Sequence, residues 1–290
     1  MKNSIFLSIL LLLAKQAVAQ GGLLDELESQ PSADTFNTEA TFKGTRIING
    51  HSVEVRDPGV LDFVISHRFG RINGGAYEFF GLDEANIRLG LEYGLMKGLN
   101  VGIGRSSFEK TFDGYLKYRL LGQRGGARAA PVSVVGFASI AINSLRNDNP
   151  ERVLPFSSRL AYTYQLLIAR KFNSDFSLQL SPTLVHRNLV ATRAMNNSLF
   201  ALGVAGRYKI TSRVALNAEY YYRFNATSEN AMYNPLAIGF DIETGGHVFQ
   251  LHFTNARAMI EKGFIGETTG DFLSGDIHFG FNVSRVFQLK

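Results

Sequence analysis

No cysteine occurs in the 290 residues. Disulfides, thiolate metal sites, a lipid-modified cysteine and covalently held c-type haem are therefore excluded. Tryptophan is absent as well, and prolines number only 7. Beyond the N-terminal region no stretch approaches the roughly 20 apolar residues that a membrane-spanning helix needs. Charged residues are sparse at 19% against 45% hydrophobic, a balance that excludes a largely disordered chain. No basic block stands out, so nucleic acid is excluded as a partner. What abounds is 29 Gly, 23 Phe and 11 Tyr, a mixture that favours strands and tight turns over helices.

Residues 1–19 read as a secretory signal peptide. Lys2 gives a positive start, Ile5 to Ala14 form a short apolar run, and Ala17 and Ala19 supply the small residues of a cleavage site before Gln20. Loss of Lys2 and Lys15 lowers the net charge from +5 to +3, 28 basic against 25 acidic residues. Residues 20–56 read as a periplasmic leader. It is polar and acidic to Ala40, then carries a strand-like run from Ile47 to Val55 that ends at the turn signal Asp57-Pro58-Gly59. Strand parity places that run at the periplasmic side or the barrel mouth.

From 57 to 290 apolar and polar residues alternate in segment after segment, each about 9–12 residues long, as a tilted membrane strand requires. Near the C-terminus Ile277, Phe279, Phe281 and Val283 share one face, and His278, Gly280, Asn282 and Ser284 the other. Phe112, Leu116 and Tyr118 likewise oppose Asp113, Lys117 and Arg119. The stretch Pro131 to Ile142 is apolar on both faces and fits least well. Connections alternate between short ones (near 96–98, 171–175, 211–213 and 244–247, with 122–130 somewhat longer) and long ones (70–84, 144–157, 188–197, 225–235 and 255–274), while the short loop at 106–110 breaks the trend. The fold class is therefore all-β: a closed antiparallel transmembrane β-barrel of about 12 strands, with one face toward lipid and the other toward an enclosed lumen.

On this register the lumen is lined by Arg88, Glu92, Asp113, Lys117, Arg119, Arg159, Arg207, Glu219, Arg223, Asp241, Glu243, His252 and Asp276. Charges of both signs either line a water-filled pore and tune its selectivity, or pair with one another and fill it. No catalytic, metal or cofactor constellation emerges. Ser66 and His67 are adjacent and point to opposite faces; Ser284 and His278 share a face but stand roughly 20 Å apart. The acidic residues Glu261, Glu267, Asp271 and Asp276 lack the spacing of a calcium loop, so 255–274 reads as a solvated outer loop.

His247 to Asn255, Gly263 to Gly270 and Gly275 to Phe287 resemble the C-terminal signature of an uncharacterised β-barrel family of Bacteroidetes outer membranes. Ile65 to Gly70 and Gly102 to Thr111 resemble its N-terminal half. The resemblance spans about residues 44–289 and implies a barrel in the outer membrane of a Gram-negative bacterium, with no established activity. The resulting expectation is a non-enzymatic narrow channel or solute conduit, with outer-membrane lipid around it. The alternatives are a membrane platform for a periplasmic or surface protein partner and, third, a lipid-active barrel enzyme.

Overall fold

A computed structural model describes residues 35–147, 153–225, 232–244 and 247–289. The segment read as a signal peptide, 1–19, and the first part of the expected leader, 20–34, lie outside the described residues. The chain forms β1 (Val60–Arg71), β2 (Ala85–Met96), β3 (Leu99–Ser106), β4 (Phe112–Leu121), β5 (Ser133–Ile142) and β6 (Leu160–Lys171). It continues with β7 (Phe176–Arg187), β8 (Ser198–Lys209), β9 (Val214–Arg223), β10 (Leu236–Thr244), β11 (His247–Thr254) and β12 (His278–Gln288). Each pairs antiparallel with its neighbours in sequence, and β12 closes on β1 with Val283 beside Ile65. The closed twelve-strand barrel is the architecture expected from the alternation. Closure satisfies every backbone ladder internally, which an open edge facing hydrocarbon would not.

The connections sort by end. Residues 97–98, 122–132, 172–175 and 210–213 lie at one mouth, called here the short-turn mouth. The other carries 72–84, 143–147 with 153–159, 188–197, 224–225 with 232–235, and 255–277, together with the short 107–111, and is called the long-loop mouth. The turn at Asp57-Pro58-Gly59 leads into β1, with Gly59 at φ 81° and Val60 N–H donating to the Asp57 carbonyl at 3.1 Å. This turn lies against Gly94, where a Cβ would fall 2.0 Å from the Asp57 oxygen.

The barrel is inverted relative to a water-soluble one. Leu116 on the outer face is 49% exposed and Ile103 65%, whereas Lys117 is 0% and Arg88 1% exposed. A belt of such residues around the whole circumference has no place in water. Aromatic rings gather at its rims. Phe69 stacks on Phe279 at 5.7 Å and His67 on Phe281 at 5.0 Å near the long-loop mouth; Phe172 stacks on Phe176 at 5.6 Å near the other. Aromatic girdles flanking an apolar band are the signature of a membrane barrel. Outward-facing Arg285 sits at such a rim, its guanidinium 5.0 Å from the Phe287 ring centroid.

The interior is packed rather than empty. Val135 and Phe137 of β5 turn inward and join Leu167, Ala169 and Ala205 in an apolar cluster with Phe42, Ile47 and Val53. This explains why 131–142 is apolar on both faces: one meets lipid, the other meets a segment inside the barrel. That segment, 41–56, lies deeper than the periplasmic side or barrel mouth expected for 47–55. It forms no spanning strand and sits within the lumen, because its apolar residues find partners there and its backbone finds hydrogen bonds.

Burial on the lipid side decides the cost of outward charge. Leu116→Arg, in the middle of β4, is expected to destabilise the barrel by roughly 2–4 kcal/mol, and Leu120→Arg near the rim by about 0–1. Urea unfolding of protein refolded in lipid vesicles measures both; equal costs would contradict the assigned lipid face.

Candidate functional site

The site is a hairpin, 41–56, inserted from the short-turn mouth. Before it, Phe36–Asn37 pairs with Arg124–Gly125. The hairpin holds itself through Ser52 N–H to the Thr45 carbonyl (3.0 Å), Ile47 N–H to the Gly50 carbonyl (2.8 Å) and Ser52 Oγ to the Gly44 carbonyl (2.6 Å). At its tip three successive backbone N–H groups, from Ile48, Asn49 and Gly50, donate to the Glu219 carboxylate of β9 at 3.3, 2.8 and 3.1 Å. Consecutive N–H groups converging on an anion form a fixed electropositive concavity. Gly50 lets the Tyr221 hydroxyl approach there, since a Cβ would fall 2.3 Å from its oxygen.

Other strands hold the flanks. Gln179 of β7 accepts from Val53 N–H at 2.9 Å and donates to the His51 carbonyl at 2.7 Å. Lys117 of β4 donates to the carbonyls of Glu54 (2.6 Å) and Thr45 (3.3 Å). Gln250 of β11 donates to the Ile47 carbonyl and Asn282 of β12 to that of Ile48, the latter at 3.0 Å. Arg56 pairs with buried Asp62 of β1, Nε to Oδ2 at 3.0 Å. Glycines on the inner wall make room. Tyr115 and Tyr221 lie over their cross-strand partners Gly102 and Gly203, where a Cβ would meet ring atoms at 2.1 and 2.5 Å.

A second segment enters from the long-loop mouth. Residues 255–277 contain a short helix, α1 (Glu261–Gly266), with Phe264 and Ile265 buried against Val185, Leu199, Ala201 and Tyr221. The reading of 255–274 as a solvated loop is corrected for this part: Glu261 is 3% exposed. The two segments meet. Arg46 Nη1 lies 3.4 Å from Glu261 Oε1, and His51 Nε2 lies 3.6 Å from the same oxygen. Arg68 of β1 joins both, donating to Asn49 Oδ1 at 2.8 Å and to the Ala256 carbonyl. Burial holds the His51 imidazole well below its usual range, helped by Arg46, Lys117 and Arg88, so it is neutral beside Glu261. Burial also pushes the Glu261 carboxyl up, against the pull of Arg46.

Of the residues assigned to the lumen, Arg88, Glu92, Asp113, Lys117, Glu219, Arg223, Asp241 and His252 are buried inside. Arg88 Nε pairs with Asp113 Oδ1 at 2.9 Å; Glu92 accepts from Asn100 at 2.7 Å and from the Tyr115 hydroxyl at 2.9 Å. Arg207 and Glu243 pair at 3.1 Å near the short-turn mouth, where Lys43 also reaches Glu243 at 2.8 Å. Three do not line the lumen. Arg119 is exposed at the end of β4, Arg159 sits in the 156–159 turn donating to the Asn143 and Leu145 carbonyls, and Asp276 pairs with Arg71 at 3.1 Å in the loop before β12. Arg159 and Asp276 continue the parity of a strand beyond its first residue, and Arg119 lies at the irregular end of β4, where the pairing with β5 shifts register.

Cavities of about 560 and 470 Å³ open at the long-loop mouth and one of about 500 Å³ at the short-turn mouth. The two ends share no lining residue. Beside the hairpin, near Arg46 and Gln250, only about 30 Å³ is left. A serine–histidine contact exists on the outer face, His186 Nδ1 to Ser198 Oγ at 2.8 Å, but among the described residues no carboxylate or amide orients the other ring nitrogen. The sequence reading missed the hairpin and α1, and it put Gln179, Gln250 and Asn282 on the polar faces of their strands without a role. The legible signals were apolar residues on the wet parity, Val135, Phe137, Leu167 and Tyr221, and the greasy runs 258–260 and 264–265.

Residues 42–287 match the family described as a membrane bound beta barrel domain (DUF5777). The chain belongs to this family. No curated protein matches the sequence significantly. Among solved structures, the NanC porin superposes with a TM-score of 0.48 at 10% identity, over 79% of this chain and 99% of that one. The KdgM porin gives 0.46 at 11% identity over the same shares, and the outer membrane phospholipase A of Escherichia coli 0.43 at 13%, over 85% and 100%. None of these superpositions is close enough to transfer an activity or a ligand.

Glu219→Ala strands three buried N–H groups and is expected to weaken hairpin seating by roughly 3 kcal/mol, about a 100-fold rise in its opening. Hydrogen exchange at residues 48–50 reads this; unchanged protection would contradict the contact. Acidification acts through His51. Seated, it resists protonation; released, it titrates near about pH 6.5, so seating stability is full above that value and falls as pH drops below it. Glu261 has the opposite sign, since its raised carboxyl takes a proton more readily when seated. His51→Asn is therefore expected to lessen acid-induced exchange of the hairpin between about pH 7.5 and 5.5; an identical profile would remove His51 as the cause.

Proposed function

We propose that this protein is a conduit of a Gram-negative outer membrane, closed at rest by its own hairpin 41–56. The short-turn mouth then faces the periplasm and the long-loop mouth the outside, the orientation usual for such barrels. The observation that carries the reading is the mode of seating. The hairpin belongs to no strand, fills the lumen midway, and reaches the wall through hydrogen bonds and an apolar cluster. It reverses at 47–50 and has both ends on the periplasmic side, so it can leave without breaking the barrel ladder. Removal would uncover a lumen lined by Glu92, Lys117, Gln179, Glu219, Asp241 and Gln250, charged in both signs and suited to polar solutes.

A second reading, a platform for a periplasmic partner, draws on the Phe36–Asn37 pairing at the short-turn mouth, which presents the leader to that compartment. One experiment separates the two. In a planar bilayer the full chain is expected to be almost silent, and a variant lacking 35–56 to conduct, more so when 258–266 is also shortened. Glu219→Ala serves if the deletion does not fold, and is expected to flicker between levels. Folded variants that all stay silent across voltages would sink the conduit and favour the platform.

A further inference from the structure

The two cavities at the long-loop mouth adjoin. Both are lined by Glu109, Arg187, Leu189 and Glu267. Arg187 ends β7 and is 6% exposed, yet its guanidinium is poorly satisfied. Its donations to the Gly266 and Asn196 carbonyls are long, 3.3 and 3.4 Å; its nearest carboxylate, Glu267, stands 3.7 Å away; and Nε has no hydrogen-bond partner. A buried guanidinium whose donors are under-used at a cavity wall is chemistry for a carboxylate, which matches its planar fork. Repulsion from buried Arg223 adds to the demand for an anion.

The same cavities hold the opposite charge. Glu109 and Glu267 share one ammonium, Lys262, at 2.6 and 3.2 Å. With Arg187, which stands 3.7 Å from Glu267, the cluster carries two charges of each sign, set out along the cavity wall as a dipole that a ligand bearing both charges matches. Glu109 is held at φ 51° in a short loop, a costly conformation for a side-chain-bearing residue and one found where a loop is shaped for a contact. Leu189, Met195 and Phe108 supply an apolar wall beside them. A cavity near 560 Å³ lies within the range of small-ligand sites.

We infer that the long-loop vestibule is a binding site for a short zwitterionic peptide, with its C-terminal carboxylate on Arg187, its ammonium on Glu109 and Glu267, and an apolar side chain against Leu189 and Met195. The inference names the solute class of the conduit proposed above and rests on that reading for transport, but binding itself requires no open lumen. Glu267 and Lys262 lie on the segment that carries Glu261, so an occupied vestibule sits one residue from the hairpin's contact with Arg46.

Binding of trileucine to the full chain in detergent, followed by calorimetry, tests the site. Saturable binding is expected, weakened about tenfold by C-terminal amidation and about tenfold by N-acetylation. Arg187→Gln is expected to weaken the free peptide about tenfold while leaving the amide unaffected further; Glu109→Gln is expected to do the same for the acetylated form. Arg187→Lys, which keeps the charge, guards against a folding defect and should retain part of the affinity. No saturable binding, or equal affinity for the acid and the amide, would overturn the site. Either result leaves the conductance of the hairpin deletion untouched, so the two readings fail separately.

Discussion

A carboxylate at the centre of the barrel, Glu219, meets three consecutive backbone N–H groups of a segment that is not part of the wall. The rest of the interior depends on that contact. A buried carboxylate without partners is too costly to keep, and a hairpin tip with orphaned N–H groups is costly as well. Each removes the other's penalty. Gln179, Gln250, Asn282 and Lys117 repeat the arrangement along the flanks, side chain of the wall to backbone of the hairpin. Because the wall recognises backbone, the hairpin's conformation counts for more than its side chains.

The same constraint explains the two-faced composition of the strands. Outside, the aromatic and aliphatic residues meet hydrocarbon. Inside, charges, amides and glycines alternate with a few apolar residues. Gly102 and Gly203 let Tyr115 and Tyr221 lie flat, so that bulky rings leave volume for the inserted chain. The charges do not form a free ring as in a water-filled pore. Arg88 is taken by Asp113, and Arg56 by Asp62. At the opposite end α1 and the loop around it complete the filling, and the meeting of Arg46 with Glu261 joins two segments that enter from opposite mouths.

Much of the wall was legible in the sequence. Period-two alternation fixed strand identity, the long and short connections fixed the order of mouths, and the aromatic C-terminal strand pointed to closure on the first. Parity failed only where strands end: Arg159 and Asp276 lie in loops, and Arg119 emerges at the rim. The contents of the lumen were far less legible, for a physical reason. Residues 47–55 look like a strand because Ile47, Ile48, Val53 and Val55 are apolar and β-branched, but the segment bonds to side chains of the wall and to itself rather than to a barrel ladder. Glu219 carries no mark distinguishing it from any other inward carboxylate. Apolar residues where the register calls for wet, Val135, Phe137, Leu167 and Tyr221, are the marks that something packs inside.

The central claim is that the barrel encloses its own N-terminal hairpin. Because the chain has no cysteine, a single introduced thiol reports it cleanly. Ser52 is 0% exposed in the lumen and Phe36 61% exposed outside it. The measurement is the rate of maleimide labelling of Ser52→Cys against Phe36→Cys in protein refolded into vesicles open to reagent on both sides. The account requires fast labelling at position 36 and near-complete protection at 52 until the protein is unfolded. Equal, rapid labelling at both positions would place the hairpin outside the barrel and contradict it.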